Sequence, residues 1–224
     1  MKHNYEDRYR IYLTRRTPII IRLDGKAFTK LTKGCNRPFD KHFQDCMVRT
    51  TIRLCHEIQG VKLGYTQSDE ISLLLTDFDT LTTEAWFDNN LQKMVSISAA
   101  MASTWFTLFY GRCGRSPALF DSRVFNIPKE EVCNYFIWRQ KDWIRNSVSM
   151  LTRAHFSHKE CMYKKQSDMH EMLYSVSINW ADLEPRWKNG VTVHRDEAEL
   201  WNIFDMIYTN QEDRDYVANL LKTK

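Results

Sequence analysis

The 224-residue chain carries six cysteines, at 35, 46, 55, 113, 133 and 161, yet no two form a CxxC pair. They sit in apolar or helical contexts, so the simplest expectation is reduced, buried thiols in a cytoplasmic protein. There is no run of about 18 uninterrupted apolar residues, so neither a membrane span nor a membrane partner is expected. The opening stretch "MKHNYEDRYRIYLTRR" mixes both charge signs without an apolar segment, and a secretory signal is not expected there. Internal repeats and low-complexity linkers are also missing. One domain, or one domain with an appendage, is what the length supports.

What the chain does have is core-forming material: 43% hydrophobic residues, with 7 Trp, 10 Tyr and 12 Phe. Net charge is only +4, but its distribution is uneven. Residues 1–50 hold twelve Lys/Arg against five Asp/Glu, while acid collects at 196–215. A basic front suits a polyanionic or phosphorylated ligand, and ordinary solvated charge would look the same.

Hydrophobic periodicity gives a definite order of elements. "PIIIRLD" (18–24) reads as a β-branched strand, closed by Gly25. Residues 39–58 approximate helical spacing and stop before Gly60. "VKLGYTQ" and "EISLLLT" are short strands joined tightly at Ser68-Asp69. A second amphipathic helix spans 89–109, "LFDSRVFNI" is a fourth strand, and Pro128 suits the first turn of a long helix. The order βαββαβ predicts an α+β, ferredoxin-like palm: a four-stranded antiparallel sheet with two helices on one face. Residues 1–127 form this expected core. Residues 128–224 form a helical and irregular extension packed on it as one structural unit, with a helix near 168–175 and a short strand in "GVTVHR".

In such a sheet the first strand lies centrally beside the third, so Asp24 meets Asp69 and Glu70 at one edge. Converging carboxylates repel unless cations lie between them, and Mg²⁺ takes one or two carboxylates with phosphates and water. Two such ions suit phosphoryl transfer. Gly25, lacking a Cβ, lets backbone approach a metal or phosphate. Lys26, Lys30, Arg37 and Lys41 can neutralise a triphosphate. Asp-Gly after a strand is also a common turn, so the convergence matters more than the dipeptide. His155, His158 and Cys161 share a three-residue spacing, but a fourth zinc ligand is missing.

Six blocks in register then carry a resemblance: "RLDGKAFTKLTK", "NRPFDKHF", "LGYTQSDEISLLL", "KMVSISAAMAS", "FDSRVFNIP" and "NYFIWRQKDWIRNS". Over roughly 22–158 they resemble the tRNA(His) guanylyltransferase superfamily, enzymes that add nucleotides to RNA 5′ ends. The resemblance implies two Mg²⁺ ions held by Asp24, Asp69 and the Gly25 carbonyl, with Ser68 and Glu70 flanking. It implies ATP and GTP or other NTPs as substrates, tRNA as partner, and a homotetramer. ATP adenylylates a 5′-monophosphate, and the 3′-hydroxyl of an incoming nucleotide displaces AMP. Lys26, Ala27, Phe28, Arg37, Asp40, Lys93 and Asn146 fall at nucleotide or phosphate positions. Arg37 and Asp40 match a Lys-Pro-x-Asp block in which arginine replaces lysine, a planar fork for a point charge. Arg139, Arg145, His158 and Lys159 are RNA-contact candidates.

Ile144-Arg145-Asn146-Ser147 departs from the His-Ile-Asn-Asn of eukaryotic members. The block looks instead like bacterial and phage guanylyltransferase-like proteins, associated with templated repair of 5′-truncated tRNA. Three alternatives are kept: a single 5′ guanylate added to tRNA(His), a nucleotidyl cyclase, and an inactive tRNA-binding palm. The chain lacks the GG(D/E)EF hairpin of diguanylate cyclases.

Overall fold

The computed structural model describes residues 1–111 and 117–223; Cys113 lies outside them. Six strands make one sheet: β1 Ile19–Gly25, β2 Val61–Gln67, β3 Glu70–Leu75, β4 Phe120–Asn126, β5 Val191–Arg195 and β6 Trp201–Phe204. Their order is β4-β1-β3-β2-β5-β6, every pairing antiparallel. The first four strands keep the ferredoxin-like order, and two more extend the sheet beyond β2. The helices are α1 Phe28–Leu31, α2 Lys41–Glu57, α3 Leu91–Tyr110, α4 Val132–His155, α5 His158–Cys161, α6 Gln166–Ser175, α7 Pro185–Asn189 and α8 Gln211–Leu220.

The period-2 alternation of β1 explains why the sheet is buried on both faces. Ile19, Ile21 and Leu23 pack with Met47 and Leu54 of α2 and Met94 and Phe106 of α3. Ile20 faces the other way, joining Leu63, Tyr65, Val132, Phe136, Tyr208 and Val217. Each fully buried Ile or Leu stabilises by roughly 1.5–3 kcal/mol, so β1 and β3 make a stiff platform. The second face is closed by α4 and α8, which the expectation of helices on one face did not include. Strand β6 was also unforeseen. Its four residues alternate weakly, and it is aligned by a tight turn in which Asp196 accepts from the amides of Ala198 and Leu200.

Helix ends follow local chemistry. Asp40 caps α2, accepting from the Phe43 amide at 2.8 Å, and Asn90 caps α3, accepting from Lys93 N–H at 3.1 Å. Gly111, in the left-handed region at φ 61°, ends α3.

Candidate active site

The acidic edge is built by register. Asp24 pairs with Glu70 of β3 and, on its other side, with Asp121 of β4. Gly25 N–H donates to the Asp69 carbonyl at 3.1 Å, tying the end of β1 to the hairpin tip. Ser68 opens that hairpin at φ 48° and donates its hydroxyl to Asp69 Oδ1 at 3.1 Å. Burial pushes the Asp69 carboxyl above the usual carboxylate range, and the nearby charge of Asp24 adds to the rise. Among the described residues neither Asp24 nor Asp69 has an arginine or lysine within ion-pair distance. This donor set fits magnesium: hard oxygens, two carboxylates, and mutual repulsion that a divalent cation would relieve. No group of three or more His, Cys, Asp or Glu suited to a metal occurs among the described residues, so phosphate and water would complete the shell.

Glu70 does not belong to this pair. It is 4% exposed, and both its oxygens are held by arginines. Arg139 donates to Oε1 at 2.7 Å and to Oε2 at 2.9 Å, and Arg22 reaches Oε2 through two nitrogens at 2.8 and 2.9 Å. The expected catalytic role for Glu70 is therefore corrected to an ionic clamp between β1, β3 and α4. Arg139, 4% exposed and also bonded to Asp142, is corrected from an RNA contact to the other half of that clamp. Arg22, which the sequence places beside Asp24, belongs here too.

Beside Asp69 opens a cavity of about 560 Å³ whose wall includes Ser68, Asp69, Lys33, Arg37, Arg153 and Trp143. Lys33, Arg37 and Arg153 are exposed, with no ion-pair partner among the described residues. Three cations without ion-pair partners, in a wall that also carries Asp69, suit a polyphosphate, and a divalent cation would supply the charge neutralisation between it and that carboxylate.

The other expected residues divide. Lys26 and Ala27 are exposed on the loop after β1, where Ala27 adopts φ 59°. That turn sends Phe28 inward, its ring 5.0 Å from Phe120 and 5.3 Å from Phe106. The ring is core, although the residue borders the cavity. A Cβ on Gly25 would lie 2.5 Å from the Phe28 ring, so this glycine is demanded by packing, a different reason from the metal approach expected. Asp40 also borders the cavity, and its carboxylate accepts from the amides of Phe43 and Asn36, so it also organises the loop before α2. Lys93 sits in the first turn of α3, at the end of the sheet where β1 begins. About 15 Å of helix separates it from Ser103, which meets Phe120 near the acidic edge. Five residues after Lys93, Ser98 shares a hydrogen bond with Ser122, the cross-strand partner of Leu23, and the Lys93 side chain is exposed. Asn146 is exposed and shares a face of α4 with Met150 and Arg153, whereas Arg145 lies on another face and pairs with Asp142. His158 and Lys159 are exposed on α5, and Cys161 beside them is buried. Gln44, Trp143, Met150, Arg153 and Trp187 line the cavity without having been anticipated. The spacing 143-146-150-153 along α4 was the available signal.

The family model for tRNAHis guanylyltransferase matches residues 1–128. The chain belongs to that family. Its members are nucleotidyltransferases acting on tRNA. A bacterial tRNA(His) guanylyltransferase-like protein solved with ATP is 40% identical, with a TM-score of 0.93 over 99% of this chain and 97% of its own. A bacterial protein of the same description, solved with GTP, is 39% identical, with a TM-score of 0.86 over 98% and 96%. The tRNA(His) guanylyltransferase of Neurospora crassa is 28% identical over 80% of this chain and 67% of its own. No described helix is long and apolar enough to cross a membrane.

Proposed function

We propose that the protein is a Mg²⁺-dependent 3′–5′ nucleotidyltransferase that repairs the 5′ end of tRNA under a template. The observation that carries this is Asp69, close enough to Asp24 to feel its charge, in the wall of a nucleotide-sized cavity that also carries Lys33, Arg37 and Arg153. Asp24, Asp69 and the Gly25 carbonyl would hold two Mg²⁺ ions, which supply charge neutralisation and orientation for phosphoryl transfer. Ser68 steadies the Asp69 carboxylate. Arg37, Arg153 and Lys33 bind the triphosphate of ATP, orienting its α-phosphorus toward the RNA 5′-monophosphate. An oxygen of the 5′-monophosphate attacks that phosphorus and pyrophosphate leaves; the 3′-hydroxyl of an incoming NTP then attacks the 5′-phosphorus of the adenylylated RNA, and AMP leaves. Lys26, exposed on the loop beside Gly25, faces the polyanion as a further cation.

Preference for templated repair rests on Ile144-Arg145-Asn146-Ser147 and on the greater identity to the bacterial guanylyltransferase-like structures than to the Neurospora enzyme. Arg145, His158 and Lys159 remain the RNA contacts in this reading. A homotetramer and a cytoplasmic location are supported by the resemblance alone.

The test supplies 5′-monophosphorylated tRNA lacking its first nucleotide, with ATP, Mg²⁺ and each NTP in turn. Addition of only the nucleotide complementary to the opposing acceptor base is expected. Addition of G whatever that base is would assign the chain to guanylate addition on tRNA(His). Folded enzyme that retains RNA but forms neither product nor adenylylated intermediate would point to a binding-only protein.

A further inference from the structure

Where α4 ends the chain turns basic. From Arg153 to Lys165 it carries Arg153, Lys159, Lys164 and Lys165, with His155 and His158, against a single acid, Glu160. All of these side chains are exposed. Glu160 is committed locally, its carboxylate accepting from the Ser157 amide at 2.8 Å and from the Ser157 hydroxyl at 2.6 Å. The arginine and the three lysines have no ion-pair partner among the described residues. An open cluster of one sign favours a polyanion.

Tyr163 stands inside this cluster. It is 95% exposed, more than any other described aromatic side chain, and neither its ring nor its hydroxyl has a partner among the described residues. Its φ of 61° lies in the left-handed region, which bulky side chains rarely adopt. The turn that presents it is fixed at both ends. Ser157 and Glu160 cap the start of α5, and Cys161 is buried. Lys164 N–H donates to the Cys161 carbonyl at 3.3 Å, and Lys165 N–H donates to Asp168 at 2.9 Å. Backbone strain with no packing in return is not explained by folding, and a ligand contact does explain it.

A free aromatic face among cations has the chemistry that binds single-stranded nucleic acid: the ring stacks on a base and the cations meet phosphates. The position agrees, since Arg153 and Ala154 line the cavity beside Asp69, and α5 and α6 both pack against α4. We propose that Tyr163, with Lys159, Lys164 and Lys165, is a stacking platform for an unpaired base at the acceptor end of the RNA. This deepens the 5′-end reading above and rests on it. A tRNA that lacks 5′ nucleotides leaves the opposing strand unpaired, and those bases have faces free to stack.

The experiment measures, by fluorescence anisotropy at several salt concentrations, the affinity of the protein for two 5′-monophosphorylated RNA hairpins that share one acceptor stem. One ends blunt and the other carries unpaired 3′ nucleotides. Tyr163→Ala should weaken the overhang hairpin about tenfold and leave the blunt one unchanged, whereas Tyr163→Trp should bind as wild type does. Tyr163→Gly tolerates the left-handed turn, so it should melt no lower than wild type while losing the same tenfold, which separates contact from fold. Replacing Lys164 and Lys165 together by Ala should reduce the slope of log affinity against log salt by about 1.4, roughly 0.7 per phosphate contact. A Tyr163→Ala variant that weakens both hairpins alike, or neither, overturns the proposal. So does a changed oligomeric state with RNA affinity intact, which would assign Tyr163 to a contact between copies. Nucleotide addition is read separately. If wild type adds no nucleotide yet prefers the overhang through Tyr163, the platform stands and the proposed reaction falls. If addition proceeds and Tyr163→Ala binds RNA unchanged, the reaction stands and the platform falls.

Discussion

Replacing Arg139 by Met removes one half of the clamp between α4 and the catalytic edge. The guanidinium and the Glu70 carboxylate are almost wholly buried, with side-chain exposures of 4% and 5%. Removing one partner of such a pair leaves an uncompensated buried charge, which typically costs about 3–5 kcal/mol. Arg22 still bonds Glu70 at 2.8 Å and is 20% exposed, so part of the compensation survives. We therefore expect the lower end, about 3 kcal/mol, equivalent to a fall in Tm of roughly 6–12 °C for a chain of this length. Urea unfolding with an unchanged m-value is the assay, because a shifted midpoint at constant slope reports stability alone. The double variant Arg139→Met/Glu70→Met should recover most of the loss, since an apolar replacement of a buried pair is often neutral. A single variant within about 0.5 kcal/mol of wild type, or a double variant whose loss equals the sum of its parts, would refute the clamp. The same series separates structure from chemistry. Glu70→Gln should keep measurable turnover, whereas Asp24→Ala and Asp69→Ala should abolish it.

Asp69→Asn should raise Tm at neutral pH without divalent cations, because the folded state holds this carboxyl above its ordinary range and ionising it opposes folding. The gain should vanish at acid pH, where both states are protonated, and added Mg²⁺ should narrow it by stabilising wild type only; thermal melts at two pH values with and without Mg²⁺ decide. His194, on β5 against Phe204, is held below its usual range chiefly by burial. Its neutral form favours the fold, so its contribution is complete above the unfolded pKa near 6.5 and is lost as pH falls through the lowered folded value. His194→Gln should flatten the stability-against-pH curve between about pH 7 and 5, and an unchanged slope would reject the assignment. Asp40→Ala should cost about 1 kcal/mol from the lost α2 cap, with a further loss from the released Asn36 amide, read by urea midpoint. It should also weaken ATP binding indirectly, by loosening the loop that carries Arg37.

The strand runs around Ile19–Ile21, Val61–Gln67 and Leu73–Leu75, and the periodic apolar positions of α2 and α3, were legible as sequence because local pattern and burial agree there. From them the βαββαβ order, the sheet edge and the meeting of Asp24 with the Ser68-Asp69 hairpin all follow. Partner choice among charges was not legible. Asp69 and Glu70 are adjacent acids in the sequence, yet one is left open at the edge and the other is locked by Arg22 and Arg139, which arrive from β1 and from a helix 69 residues away. Gln44 and Trp143 read as ordinary helix positions until α2, α4 and the 180–190 segment closed a cavity around them. Composition and period thus determined the platform and the position of its acids. The tertiary structure decided which charges stay open, because hydrogen bonds depend on distances that only packing between remote segments sets.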